Sequence, residues 1–362
     1  MSDPQVQNVS KIGIASITLR AMAAAVVRLG TSPFKGKKGA SSYFKDVTFA
    51  MMRSQLGALN LAQFRYMNPW TSEVYIQFAK DTGFAPDTIT LPSGTQAHWI
   101  GNKNAQKTIV YFHGGGYVLP ANAGQMKFLA DMKDACIAAG RDTAVLLLAY
   151  TNAPEAKYPT QLTQAIELLT HLIETEKRDP TNITLGGDSA GGNLTIGVLA
   201  HLAHPNPAVP TLSLPSKFHA TFLISPWVSF NTFISSFETN AEKDAFDGRV
   251  LRLWSAAFLG SDSPFAGDFY SEPVTAPASF WEGVANVVDE VLIWGGADEV
   301  LIEGIEEFMA RFRKGFRGAG GKVTTAVTER SAHEEMILDV MFGYKEKGKS
   351  HVVVEDWVKS RL

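Results

Sequence analysis

Residues 183–194 read Ile-Thr-Leu-Gly-Gly-Asp-Ser-Ala-Gly-Gly-Asn-Leu, and inside them Gly187-Asp188-Ser189-Ala190-Gly191 fits the pattern G-x-S-x-G. In a glycine-rich chain such a match is weak evidence. Its flanks give it meaning. Ile183–Leu185 has the β-branched, apolar texture of a buried strand, and the residues from Gly191 onward open a helix. A serine on that sharp strand-to-helix turn projects its hydroxyl above a sheet, beside the positive end of the helix. Gly187 and Gly191 let helix and neighbouring strand approach closely.

The same texture recurs along the chain. Thr108–Phe112, Ala144–Ala149, Ala220–Ile224 and Val291–Trp294 are continuous apolar runs, with Val323–Val327 as a last strand. Runs apolar on both faces suit parallel strands covered by helices. Helix-length segments lie between them, at about 125–139, 161–176, 194–202, 305–316 and 335–344. Asp87–Leu91 and Gln96–Ile100, around Pro92-Ser93-Gly94, form an antiparallel hairpin that opens the sheet. The pattern predicts a doubly wound α/β sheet, mostly parallel and eight-stranded. Residues 1–83 are expected to form a helical cap segment. Residues 84–225 and 278–362 form the core, and 226–277 are a cap insertion after the sixth strand. The insertion is rich in aromatic residues, Phe265 among them. Tyr117, Trp227, Phe230, Trp254 and Phe258 are the candidates for a substrate pocket.

Four features carry chemistry. Ser189 is the candidate nucleophile. His113-Gly114-Gly115-Gly116 follows the 108–112 strand directly. Its glycines can turn backbone N–H groups into a cavity, where acyl transfer needs donors for an oxyanion. The donors assigned are the N–H groups of Gly115, Gly116 and Ala190; a flexible turn and a phosphate loop are the competing readings. The base is His333, in Ser331-Ala332-His333-Glu334 after the last strand. The other seven histidines sit in the glycine loop, on helix faces, on strands or near the C-terminus. The acid is Asp298, in Gly295-Gly296-Ala297-Asp298-Glu299 after the 291–294 strand, with Glu299 as rival and a helix-capping role as the structural alternative.

Composition narrows the function classes. The 362 residues hold 33 basic and 36 acidic side chains, a formal net charge of −3. That balance argues against a nucleic-acid binder. The single cysteine, Cys136, cannot form an intrachain disulfide or a cysteine-only metal site. Mean hydropathy of −0.01 excludes a multi-span membrane protein. Residues 12–29 are apolar but interrupted by Arg20 and Arg28. They read as an amphipathic helix, with docking on a membrane surface as the lesser alternative. The expected location is cytoplasmic, and an edge strand or C-terminal helix offers a surface for a homodimer.

HGGGY at 113–117, GDSAGGN at 187–193, YTNAPEAKYP at 150–159 and SPW at 225–227 together resemble the hormone-sensitive-lipase-like group of α/β-hydrolases. The chain order Ser189, Asp298, His333 is the order that fold uses. The resemblance runs from about Thr108 to Asp339. The long N-terminal part matches bacterial members poorly and is closer in feel to fungal ones. The resemblance implies a serine carboxylesterase or lipase acting on small to medium, largely apolar esters, with no cofactor or metal. It gives Asp188 a structural role in the elbow. Some such relatives serve biosynthetic pathways, so the alternative is a triad enzyme that deacylates, transfers or condenses a natural-product intermediate. A non-catalytic binding protein on the same scaffold is the third reading. Asp298-Glu299-Val300-Leu301 departs from the D-P-L usual at the acid's position.

Overall fold

A computed structural model describes residues 9–261 and 267–362; Phe265 lies outside the described residues. Eight strands make one sheet: β1 Asp87–Thr90, β2 Gln96–Ile100, β3 Lys107–Phe112, β4 Thr143–Ala149, β5 Ile183–Asp188, β6 Phe218–Ile224, β7 Val288–Gly296 and β8 Lys322–Thr328. Their order is β1-β2-β4-β3-β5-β6-β7-β8. β1 pairs with β2 and β2 with β4 antiparallel, and every other pairing is parallel. Each expected strand is present. β3 to β7 are buried almost throughout, as the continuous apolar runs require.

The helices are α1 Lys11–Thr31, α2 Tyr43–Leu56, α3 Leu61–Met67, α4 Thr71–Thr82, α5 Ala123–Ala138, α6 Thr160–Thr170, α7 Ser189–Ala203, α8 Ser236–Thr239, α9 Gly248–Leu259, α10 Ile302–Gly318, α11 Glu335–Met341 and α12 Lys349–Lys359. Two expectations need adjusting. The 161–176 segment is α-helical only to Thr170 and closes in a wider π turn over His171–Thr175. The insertion 226–277, read from the sequence as helical, is so only in part: among its described residues are the single turn of α8, three turns of α9 and a 3₁₀ turn at Pro273–Thr275, joined by irregular backbone. The α9 ends are locally specified: Asp247 caps Arg249 and Val250 N–H, and Gly260 leaves the helix at φ 63°.

Register sets the site. Phe112 lies opposite Gly187, Asp188 opposite Ile224, Ile224 opposite Trp294, and Gly296 opposite Thr328. The carboxyl ends of five parallel strands therefore stand in one row. The loops leaving that row carry Gly114–Gly116, Ser189, Ser225, Glu299 and His333, which is where open α/β sheets place their ligand crevices.

Candidate active site

Ser189 sits at φ 46°, a left-handed conformation that costs a non-glycine residue roughly 1–3 kcal/mol. The turn is held by close packing. A Cβ on Gly191 would fall 1.8 Å from the Phe112 carbonyl oxygen, and one on Gly187 2.3 Å from the Gly191 carbonyl oxygen. Glycine is thus required on both sides of the serine, as the motif implied.

The glycine loop is built against that elbow. Gly115 and Gly116 have φ of 111° and 60°. Among the described residues, no acceptor is found for either backbone N–H. Gly114 N donates to Asp188 Oδ1 at 2.9 Å, and Gln125 Nε2 to Asp188 Oδ2 at 2.8 Å. Asp188 is therefore the strut between the elbow and the loop. His113 stacks on Tyr150, whose hydroxyl donates to the His113 carbonyl at 2.7 Å. Burial pushes the His113 imidazole down to about 4, so it is neutral at pH 7.

His333 is buried and faces the same cavity as Ser189. Its Nδ1 lies 2.6 Å from Glu299 Oε2. The other Glu299 oxygen accepts from Gly296 N at 2.6 Å and Ser225 Oγ at 3.0 Å. Burial is the largest influence on the imidazole and lowers its pKa. The Glu299 hydrogen bond and charge, with the charges of Asp244 and Asp188, outweigh it and raise the pKa above 6.5.

Glu299, the rival to the expected Asp298, is the carboxylate that reaches His333. Asp298 does not face His333. Its carboxylate is bound by Arg330 Nη1 at 2.9 Å and by Lys243 at 3.3 Å. The turn after β7 aims successive side chains in different directions, so the longer Glu299 side chain enters the core while Asp298 meets the two cations.

Of the five pocket candidates, only Trp254 lines the cavity that holds Ser189. Tyr117 stacks on Phe258 at 3.8 Å and donates to Asn193 Oδ1 at 2.6 Å, while Trp227 packs edge-on to Phe230. These four join elbow and insertion. The cavity measures about 230 Å³, and its apolar wall comes instead from Met52 and Leu56 of α2, Phe246, Leu251 and Leu338.

Three supporting residues were not foreseen. Gln125 belongs to the capping box of α5 and also reaches Asp188. Asp244 accepts from Val300 N at 2.7 Å and Ala245 N at 2.7 Å, and burial lifts its carboxyl to about 6. Glu334 lines the cavity with Oε1 at 3.6 Å from His333 Nε2. Burial, then the charge of Asp188, lifts its carboxyl well above the usual range. Its place directly after the histidine was the one available signal; Asp244, in an irregular stretch, gave none.

Residues 109–337 match the family model described as the alpha/beta hydrolase fold. The chain belongs to that family. The hormone-sensitive-lipase-like resemblance is borne out by its relatives. An acetyl-hydrolase of Streptomyces hygroscopicus is 27% identical over 60% of this chain and 66% of its own length. Steryl acetyl hydrolase 1 of Saccharomyces cerevisiae is 28% identical over 53% of this chain and 45% of its own. The chain thus spans from under half to about two thirds of the length of these curated relatives. Among solved structures, an esterase of the bacterial hormone-sensitive lipase family superposes with a TM-score of 0.61 at 21% identity, covering 100% of this chain and 99% of the other. That likeness speaks for the fold.

Proposed function

We propose that the chain is a serine carboxylic ester hydrolase for short-acyl esters, with Ser189 as nucleophile, His333 as base and Glu299 as the acid that orients it. The observation that carries the reading is the hydrogen-bonded pair His333–Glu299 at 2.6 Å facing one cavity with a serine on a strained elbow. In the first half-reaction Ser189 Oγ attacks the ester carbonyl and His333 Nε2 takes its proton. The tetrahedral oxyanion is received by the N–H groups of Gly115, Gly116 and Ala190. The intermediate collapses, and the alcohol leaves with the proton from the imidazolium. Water then repeats the cycle on the acyl-enzyme and releases the acid.

The short-acyl preference follows from size. A cavity of about 230 Å³ lies below the roughly 300–1,000 Å³ of common ligand pockets and suits an acetyl or butyryl group. Relatives named acetyl hydrolases are consistent with it. The division into an N-terminal cap, core and insertion belongs to the same reading, since α2 and α9 both border the cavity. The test is turnover of p-nitrophenyl acetate, butyrate and decanoate. Acetate and butyrate should turn over well, decanoate poorly. Ser189→Ala should lose roughly 10⁶ in kcat, by analogy with other serine hydrolases. Undiminished turnover in that variant would refute the nucleophile.

A further inference from the structure

Helix α1 is amphipathic in an unusual sense. Its inward stripe runs through Gly13, Ile17, Ala21 and Arg28. Gly13 lies against the Gln63 side chain, Ile17 packs on the main core, and Ala21 is buried. Arg28 Nε pairs with the buried Asp46 at 3.1 Å. The outward face is the apolar one. Ile12, Leu19, Met22, Val26 and Val27 are all exposed, and Phe34 just beyond the helix is 88% exposed. Isolated exposed apolar residues are ordinary, but a continuous strip along a helix of 21 residues, about 30 Å, is not.

Charge identifies the occupant. Residues 9–45 carry seven basic side chains and no acidic one. Lys11, Arg20, Lys37 and Lys38 are exposed around the apolar strip. A second copy of the chain would bring these cations against their own kind. A bilayer with anionic headgroups offers apolar depth under the strip and negative charge at its rim.

We propose that the outward face of α1 docks the protein on an anionic membrane surface, with the helix lying in the interface. By length and composition the segment Lys11–Phe34 could cross a membrane. Its attachments argue for lying flat. A spanning helix would have to break the Arg28–Asp46 pair and the hydrogen bond from Tyr43 Oη to the Leu29 carbonyl at 2.8 Å, and carry Arg20 and Arg28 into hydrocarbon. α2, which packs along α1, supplies Met52 and Leu56 to the cavity. Docking therefore brings one wall of the cavity near the lipid.

The test is co-sedimentation of the full chain with vesicles of phosphatidylcholine alone, or with one third phosphatidylserine. Wild type should bind the anionic vesicles, roughly tenfold more weakly after Leu19→Glu with Val26→Glu or after Lys37→Glu with Lys38→Glu. High salt should weaken binding likewise. Circular dichroism and melting of each variant report whether it is folded. Absence of wild-type binding to either vesicle overturns the proposal, as does undiminished binding of the folded Leu19/Val26 variant. A wild-type dimer that the same substitutions dissolve assigns the face to a second copy. Retention on vesicles through alkaline carbonate would make α1 a span. Either outcome overturns docking in the interface.

Discussion

One position along the turn after β7 separates the carboxylate that reaches His333 from one held in a salt bridge. Asp298 meets Arg330 and Lys243; Glu299 meets His333, Ser225 and Gly296 N. Glu299→Gln should lower kcat roughly 10³–10⁴-fold, the scale seen when a triad acid becomes an amide. Asp298→Asn should stay within about threefold of wild type in kcat, because the Asp298 carboxylate meets Arg330 and Lys243 and does not reach His333. Steady-state kinetics on p-nitrophenyl acetate separates them, and the reverse ranking would restore Asp298. The base must be neutral to accept a proton. With its pKa raised, the acid limb of kcat/KM should have its midpoint above pH 6.5. In the residual activity of Glu299→Gln, the midpoint should move down. Burial, then the charge of Asp188, raises the Glu334 carboxyl; Glu334→Gln keeps the side chain's shape and removes its titration, so kcat on p-nitrophenyl acetate should stay within about threefold of wild type.

Elements fix these positions through contacts with no slack. Adding a methyl at Gly191 drives α7 off β3, because the new atom would sit 1.8 Å from a backbone oxygen. Gly191→Ala should lower stability by about 3 kcal/mol or more, measured by urea unfolding. A different clamp joins α4 to the opening hairpin. His98 lies between Ser72 Oγ at 2.8 Å and Thr88 Oγ1 at 2.9 Å and stacks on Tyr75. Burial lowers its pKa from 6.5 to about 4. Below pH 6.5 the unfolded chain binds a proton there that the folded chain refuses. The stability is therefore fully present above pH 6.5 and is lost as pH falls toward 4. Between pH 7 and 5, wild type should lose about 2 kcal/mol more than His98→Gln, because each unit of displaced pKa is worth about 1.36 kcal/mol. Equal slopes for the two proteins would remove His98 from the acid response.

Across the whole molecule, the cavity is a joint product of distant segments. Met52 and Leu56 come from α2, Trp254 from α9, Leu338 from α11, and Ser189 from the elbow. Trp254 is the largest of these, and a Cβ on Gly116 would strike its ring at 2.1 Å. Trp254→Ala should open the site and shift the preferred ester toward longer acyl chains, at a stability loss of about 3–5 kcal/mol. A chain-length profile unchanged by that substitution would place the acyl group elsewhere.

The strands, their mostly parallel order, the elbow serine, the glycine loop and the histidine after the last strand were all legible in the sequence. Each rests on local chemistry: a β-branched run, a glycine forced by backbone approach, a loop at a strand's end. Which of two adjacent carboxylates reaches the histidine was not legible, because it depends on how one turn points its side chains into a core assembled from residues 225, 244 and 296 as well. Nor was the pocket wall. Aromatic content marks a segment as apolar, but whether Tyr117 or Trp254 meets the cavity is decided by which face of each element the rest of the chain covers. Periodicity and motif are properties of neighbours in the chain, whereas the direction of a side chain inside a shared core is a property of neighbours in space.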